Sequence, residues 1–75
     1  MKLDQLGTII KKARKAQHIT QLELQDLSGV SASVIYKLES GRRDVSMGSL
    51  IAVADSLGVQ LVAKSPLGEE VYLNG

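Results

Sequence analysis

A chain of 75 residues has room for one domain, because at this size only roughly 60% of the unfolded surface is buried on folding; no second, catalytic domain is expected in it. With 44% of residues apolar, two Tyr and no Phe or Trp, the composition suits a helical core of aliphatic side chains and argues against disorder. There is no Cys and the formal net charge is +1, so disulfides and thiolate metal sites are excluded as staples, and association with another chain is the one that remains.

No apolar run approaches the ~20 residues that span a bilayer, and the N-terminus lacks the apolar stretch of a secretory signal, so a cytoplasmic chain is expected. The small net charge hides an uneven distribution. Lys11, Lys12, Arg14 and Lys15 crowd one segment, Arg42 and Arg43 another, and Glu69 and Glu70 lie near the far end. A lone basic cluster is more often a solvated face than a polyanion site, so the decision falls to other features.

From Leu3 to Gln17, Leu6, Ile9, Ile10 and Ala13 recur at helical spacing, predicting an amphipathic helix with Asp4 as N-cap and a left-handed residue at His18. Thr20-Gln21-Leu22-Glu23 is a capping box opening a second helix to about Ser28, with Leu24 and Leu27 turned inward and Gly29 supplying the terminating turn. Ser31 can cap a third helix carrying Val34, Ile35 and Leu38 on its apolar side and ending before Gly41. After a polar loop, Ser46 can cap a fourth, whose Leu50, Val53, Ala54 and Leu57 face the core and which Gly58 closes. The tail changes character: residues 59–64 and 69–73 read as strands around a Ser65-Pro66-Leu67-Gly68 turn. An isolated hairpin is marginal in water, so this one is expected to pair with a second copy or lie on the helices.

The stretch QLELQDLSGVSASVIYKLES, Gln21 to Ser40, places two apolar sets around a turn glycine at helix-turn-helix spacing. That spacing stands the second helix across the first and exposes its N-terminal side chains to a DNA major groove. An αα-hairpin used only for packing shares the same pattern. Thr20-Gln21, Gly29-Val30-Ser31, Glu39-x-Gly41 and Leu57-Gly58-Val59 then narrow the choice. Over about Leu6 to Val59 the chain resembles the Cro/CI-type, lambda-repressor-like helix-turn-helix family.

The resemblance implies an all-α, compact four-helix domain at residues 1–58, with residues 59–75 a short β-strand or hairpin that pairs across a dimer. It implies base contacts from Ala32, Ser33, Tyr36 and Lys37. Lys37 and Tyr36 are long enough to reach, Ser33 can donate or accept, and Ala32 can meet only a thymine methyl; Tyr36 also reads as plain surface. Gln21 is implied near a phosphate and base region. Ser31, Arg42, Arg43, Lys11 and Lys15 are candidates for phosphate contacts that orient without reading sequence. The amides at Ser46 and Met47 can accept a phosphate as a helix N-terminus, or Ser46 can simply cap. Arg14 and Glu39 are implied as a structural ion pair, buried or exposed. Three residues depart from the family pattern: Gln25 stands where a small Ala is usual, His18 where Gly is, and Val45 where Pro is common.

Nothing supports an enzyme: His18 is the single His, no Cys is available, and no P-loop or dinucleotide fingerprint appears. One imidazole cannot make a tetrahedral metal site, and no cofactor is expected. The β segment VQLVAKS is similar to that of the HipB-like (Y4mF-type) antitoxins, which implies a homodimer held through Val59, Leu61, Val62 and Val71. It also implies an inverted-repeat DNA operator and a HipA-like kinase toxin as partner. A stand-alone phage- or plasmid-type repressor is the alternative, and a third reading is an interaction module whose DNA face is silent.

Overall fold

In a computed structural model, residues 2–74 are described; Met1 and Gly75, the outer ends of the two expected segments, lie outside them. Helix α1 spans Leu3–Ala16 and turns Leu3, Leu6, Gly7, Ile10, Ala13 and Arg14 inward at i, i+3, i+4 spacing, the stripe a helix needs to cover a core. Ile9, expected in that stripe, is 54% exposed. Asp4 is not the N-cap: the helix begins at Leu3, two residues earlier than an Asp4 cap requires, so Lys2 holds that position without a side-chain bond. Asp4 sits instead inside the first turn, where a carboxylate opposes the positive end of the helix dipole. At the other end His18 adopts φ 57°, and the Ile19 amide closes the turn on the Arg14 carbonyl at 3.2 Å.

Helix α2, Gln21–Ser28, opens on the expected reciprocal cap, the Glu23 amide donating to the Thr20 hydroxyl at 3.1 Å and the Thr20 amide to Glu23 Oε1 at 3.0 Å. Those bonds, first the one from the Thr20 amide, hold the Glu23 carboxyl below its ordinary pKa; the cap is intact at neutral pH and is lost as pH falls through that lowered value. Helices α3, Ala32–Glu39, and α4, Met47–Leu57, start on Ser31 and Ser46, whose hydroxyls accept from Val34 and Ser49.

The α2 stripe differs from expectation. Its inward positions are 21, 24, 25 and 28, only one of them apolar, while Leu27 is 61% exposed. Gln21, Gln25 and Ser28 can face inward because each finds a hydrogen-bond partner there, which removes the cost of burying a polar group.

The four helices share one core to which each contributes a fully buried aliphatic residue: Ile10, Leu24, Ile35 and Val53. Val30, Leu38, Ala54 and Leu57 surround them. Each such side chain is worth roughly 1.5–3 kcal/mol relative to exposure. α1 reaches α3 so closely at Gly7 that a Cβ there would stand 2.6 Å from the Leu38 carbonyl oxygen.

The tail is a hairpin within one chain: β1, Val62–Lys64, runs antiparallel to β2, Glu70–Tyr72, with Val62 opposite Tyr72 and Lys64 opposite Glu70. Gly68, at φ 84°, makes the turn. Asn74 clamps the base, donating to the Val59 carbonyl at 2.8 Å and accepting from the Leu61 amide at 2.7 Å. Val59 and Leu61 pack on the helical core, whereas every strand residue is exposed.

Candidate nucleic-acid interface

The α2–α3 turn is built from local rules. Gly29, at φ 75°, has nothing within 4 Å of where a Cβ would stand, so glycine is needed for its backbone angle alone. Val30 follows as a buried anchor, 8% exposed, and Ser31 restarts the chain in extended geometry as the cap of α3. A second cap comes from an unexpected direction: Gln25 Oε1 accepts the Ala32 amide at 2.8 Å. The residue that departs from the family's small Ala thus ties the two helices together across the turn.

On α3 the positions 32, 33, 36 and 37 share one side of the helix. Ser33 and Tyr36 are exposed, and Ala32 and Lys37 half-buried. Ser31 is engaged twice, accepting the Val34 amide at 3.3 Å and lying 3.1 Å from the Ser33 hydroxyl. Tyr36 is 62% exposed; an aromatic ring held in water on the outward face of a short helix contributes nothing to the core.

Behind this face the structure brings Arg14, Glu39 and Gln21 together. Arg14 Nε donates to Glu39 Oε2 at 2.7 Å and Nη2 to Oε1 at 3.0 Å, a two-pronged pair. Arg14 Nη1 also donates to the Ile19 carbonyl at 2.8 Å, and Gln21 Nε2 to Glu39 Oε1 at 3.2 Å. The Arg14 and Glu39 side chains are 10% and 4% exposed, so this is a buried pair. The hydrogen bond to Glu39 raises the Arg14 pKa further, so its charge is permanent. α1 and the first residue of α2 are thereby bolted to the last residue of α3. Gln21, expected beside a phosphate, has its amide directed into this network.

The loop after α3 carries the second group. The Arg42 amide donates to the Lys37 carbonyl at 3.0 Å, folding the loop back on the end of the helix. Asp44 then lies 3.3 Å from Lys37 Nζ and 3.4 Å from Arg42 Nε. The hydrogen bond from Lys37 is the main reason its carboxyl titrates below the ordinary value. Arg43 is exposed, and with Arg42, Leu3, Met47 and Leu50 it lines a shallow groove beside the start of α4. Lys11 and Lys15 stand exposed one turn apart on α1. Among the described residues Arg43, Lys11 and Lys15 have no carboxylate within ion-pair distance.

Sequence reasoning missed Gln25 and Asp44. Gln25 was legible only as a departure from the usual small residue. Asp44 carries no periodic or capping signal, since its partners are fixed by the path of the loop.

A capped pair of short helices around a left-handed glycine, one presenting a polar face with cations at its rim, defines a helix-turn-helix domain. The chain belongs to the Cro/CI-type helix-turn-helix family, whose model matches residues 10–63. It is 35% identical over 68 residues to the immunity repressor protein of Bacillus phage phi105, covering 91% of this chain and 46% of that protein. It is 30% identical over 61 residues to the uncharacterized HTH-type transcriptional regulator y4mF of Sinorhizobium fredii, covering 81% of this chain and 80% of that one. The chain spans less than half the length of the phage repressor and most of y4mF. Among solved structures, the restriction-modification controller protein C.AhdI from Aeromonas hydrophila is similar with a TM-score of 0.68 and 30% identity, over 76% of this chain and 86% of that one. The clp gene regulator ClgR from C. glutamicum gives a TM-score of 0.67 and 32% identity, over 79% of this chain and 77% of that one.

Proposed function

We propose that the chain is a sequence-specific DNA-binding transcriptional repressor acting as a homodimer in the cytoplasm, a binding protein and not an enzyme. The observation that carries this is the outward face of α3, with Ser33, Tyr36 and Lys37 on one side and Arg42 and Arg43 just beyond its end. Base edges are read by Ala32, Ser33, Tyr36 and Lys37. Phosphates are held by Arg42, Arg43, Ser31, Lys11, Lys15 and the amides opening α4. Gln21 contributes mainly by holding Glu39 in place.

Lys37→Ala is expected to weaken binding to a selected operator about 10-fold and relax specificity at one base position. Arg43→Ala should weaken operator and random duplex alike and reduce the salt slope by about 1. Gel-shift titrations at several salt concentrations measure both. If both variants retained DNA as the wild type does, the silent interaction module would be the better description.

One recognition helix discriminates little, so a dimer reading two half-sites about 34 Å apart is proposed, its operator an inverted repeat. The support is the hairpin: a two-stranded sheet is marginal alone, both its edges are free, and Val62 is 42% and Val71 59% exposed. They lie on opposite faces, which favours edge-to-edge strand pairing over stacking. Val59 and Leu61 support the hairpin's base from the core of their own chain. Truncation after Gly58 would strip Val59 and Leu61 from the core, so the cleaner test replaces the exposed residues. The full chain should elute as a dimer from a sizing column and the Val62→Asp, Val71→Asp variant as a monomer. Unchanged elution would remove the strand-pairing proposal.

The finer reading is the antitoxin of a HipA/HipB-like system that represses its own operon and neutralises a kinase toxin. It rests on the likeness of the β segment VQLVAKS to that of HipB-like antitoxins; the y4mF protein, 30% identical over 80% of its length, is named only as an uncharacterized HTH-type transcriptional regulator. The alternative, a stand-alone phage- or plasmid-type regulator, is favoured by the match to the phage immunity repressor. A kinase-like reading frame adjacent to this gene, whose product co-purifies with the chain, decides for the antitoxin.

A further inference from the structure

At the rim of the α3 face, the Asp44 carboxylate is shared between two cations. Its Oδ2 lies 3.3 Å from Lys37 Nζ, and its Oδ1 3.4 Å from Arg42 Nε. A second Arg42 nitrogen, Nη2, donates to Oδ2 at 3.4 Å. The side chains of Lys37, Asp44 and Arg42 are 39%, 51% and 58% exposed, so the trio is wet and adds little to folding. What it does change is the charge presented to a duplex: the carboxylate cancels one of two cations and occupies the other's hydrogen-bonding reach. Arg43, next to it, is left free among the described residues.

Resting on the DNA-binding reading above, we infer that Asp44 sets the ratio of operator to random-sequence binding by holding Lys37 and Arg42 in a position from which Lys37 can donate to a base edge without leaving the carboxylate. A random duplex places no base acceptor at a fixed position, so its phosphates must draw the two cations away from Asp44 while being repelled by its charge. An operator adds an acceptor such as guanine O6 or N7 within reach of Lys37, whose ammonium has three donors and can serve the base and Asp44 together. The same carboxylate therefore penalises non-specific binding more than specific binding. Asp44 is a positioning residue that acts through Lys37 and Arg42. A repulsive element placed against the wrong partner is a general route to specificity.

The test uses the full chain, an operator obtained by in vitro selection with the wild type, and a random duplex of equal length. Asp44→Asn keeps size and removes charge, and its melting curve should match the wild type because the pairs are exposed. It is expected to tighten random-duplex binding about 5-fold and to steepen its salt slope by about 1 to 2 as the freed cations displace counterions. Operator binding should change by less than about 2-fold, since the repulsion removed there is offset by the lost hold on Lys37. In a Lys37→Ala background the loss of ratio should largely vanish. Equal tightening on both duplexes overturns the inference, because Asp44 would then act only as bulk charge; no tightening on either overturns it as well. A wild type that selects no sequence and retains no duplex fails the DNA reading itself, and this inference with it.

Discussion

Glu39→Ala is expected to lower the unfolding free energy by about 3–5 kcal/mol, the range for removing one member of a buried ion pair. The substitution leaves Arg14 Nε, Arg14 Nη2 and Gln21 Nε2 without their acceptor. It does so where the Arg14 side chain is 10% exposed and its charge cannot be shed. Arg14 keeps only the Ile19 carbonyl. Urea unfolding at fixed protein concentration measures the loss, since an associating chain has concentration-dependent stability, and the midpoint should move without a change in slope. The double variant Arg14→Met, Glu39→Leu should recover most of it, because replacing a buried pair by apolar side chains of similar volume is often neutral. A loss below about 1 kcal/mol for Glu39→Ala would mean that the pair behaves as an exposed one in solution.

Gly7→Ala carries the second large effect, about 2 kcal/mol of destabilisation, and here two effects oppose each other. Alanine is the better helix former by roughly 1 kcal/mol, which alone would stabilise α1. Its Cβ, however, would meet the Leu38 and Glu39 carbonyl oxygens at 2.6 and 2.7 Å. Both are backbone atoms that cannot rotate aside, so α1 and α3 must separate, and overpacking costs of about 1–3 kcal/mol follow with the Glu39 pair stretched as well. Gly48→Ala is the control: its nearest neighbour is Ser46 Oγ at 4.0 Å, so propensity acts alone and the variant should be neutral or slightly stabilised. If thermal or urea unfolding showed Gly7→Ala to be as stable as wild type, the close approach of these helices would be wrong.

The helix boundaries and turns were legible in the residues because the forces that set them act over three or four positions. Thr20 with Glu23, Ser31 with Val34 and Ser46 with Ser49 are hydrogen bonds within one turn. Gly29, Gly58 and His18 each hold a left-handed angle whose need is local. Ile10, Ile35 and Val53 could be named from periodicity, since α1, α3 and α4 each have one obvious apolar side. Where that side is mostly polar the reading failed: Leu27 was expected inward and Leu24 alone is buried, because Gln21, Gln25 and Ser28 take the other inward positions. Asp4 was misplaced by the same locality, a helix start two residues earlier having moved the cap to Lys2.

The number of helices and, apart from the start of α1, their ends follow from residues close in sequence, because capping, glycine angles and apolar spacing are properties of neighbouring residues. It took the packing of the helices to make Gln25 cap a helix seven residues on, Gly7 the point of contact between α1 and α3, and Asp44 the shared partner of Lys37 and Arg42. Those pairings join residues whose separation along the chain carries no periodic signal. They exist because packing the four helices on one aliphatic core brings particular polar groups within hydrogen-bonding distance, and a group so placed must be paired or pay the cost of desolvation.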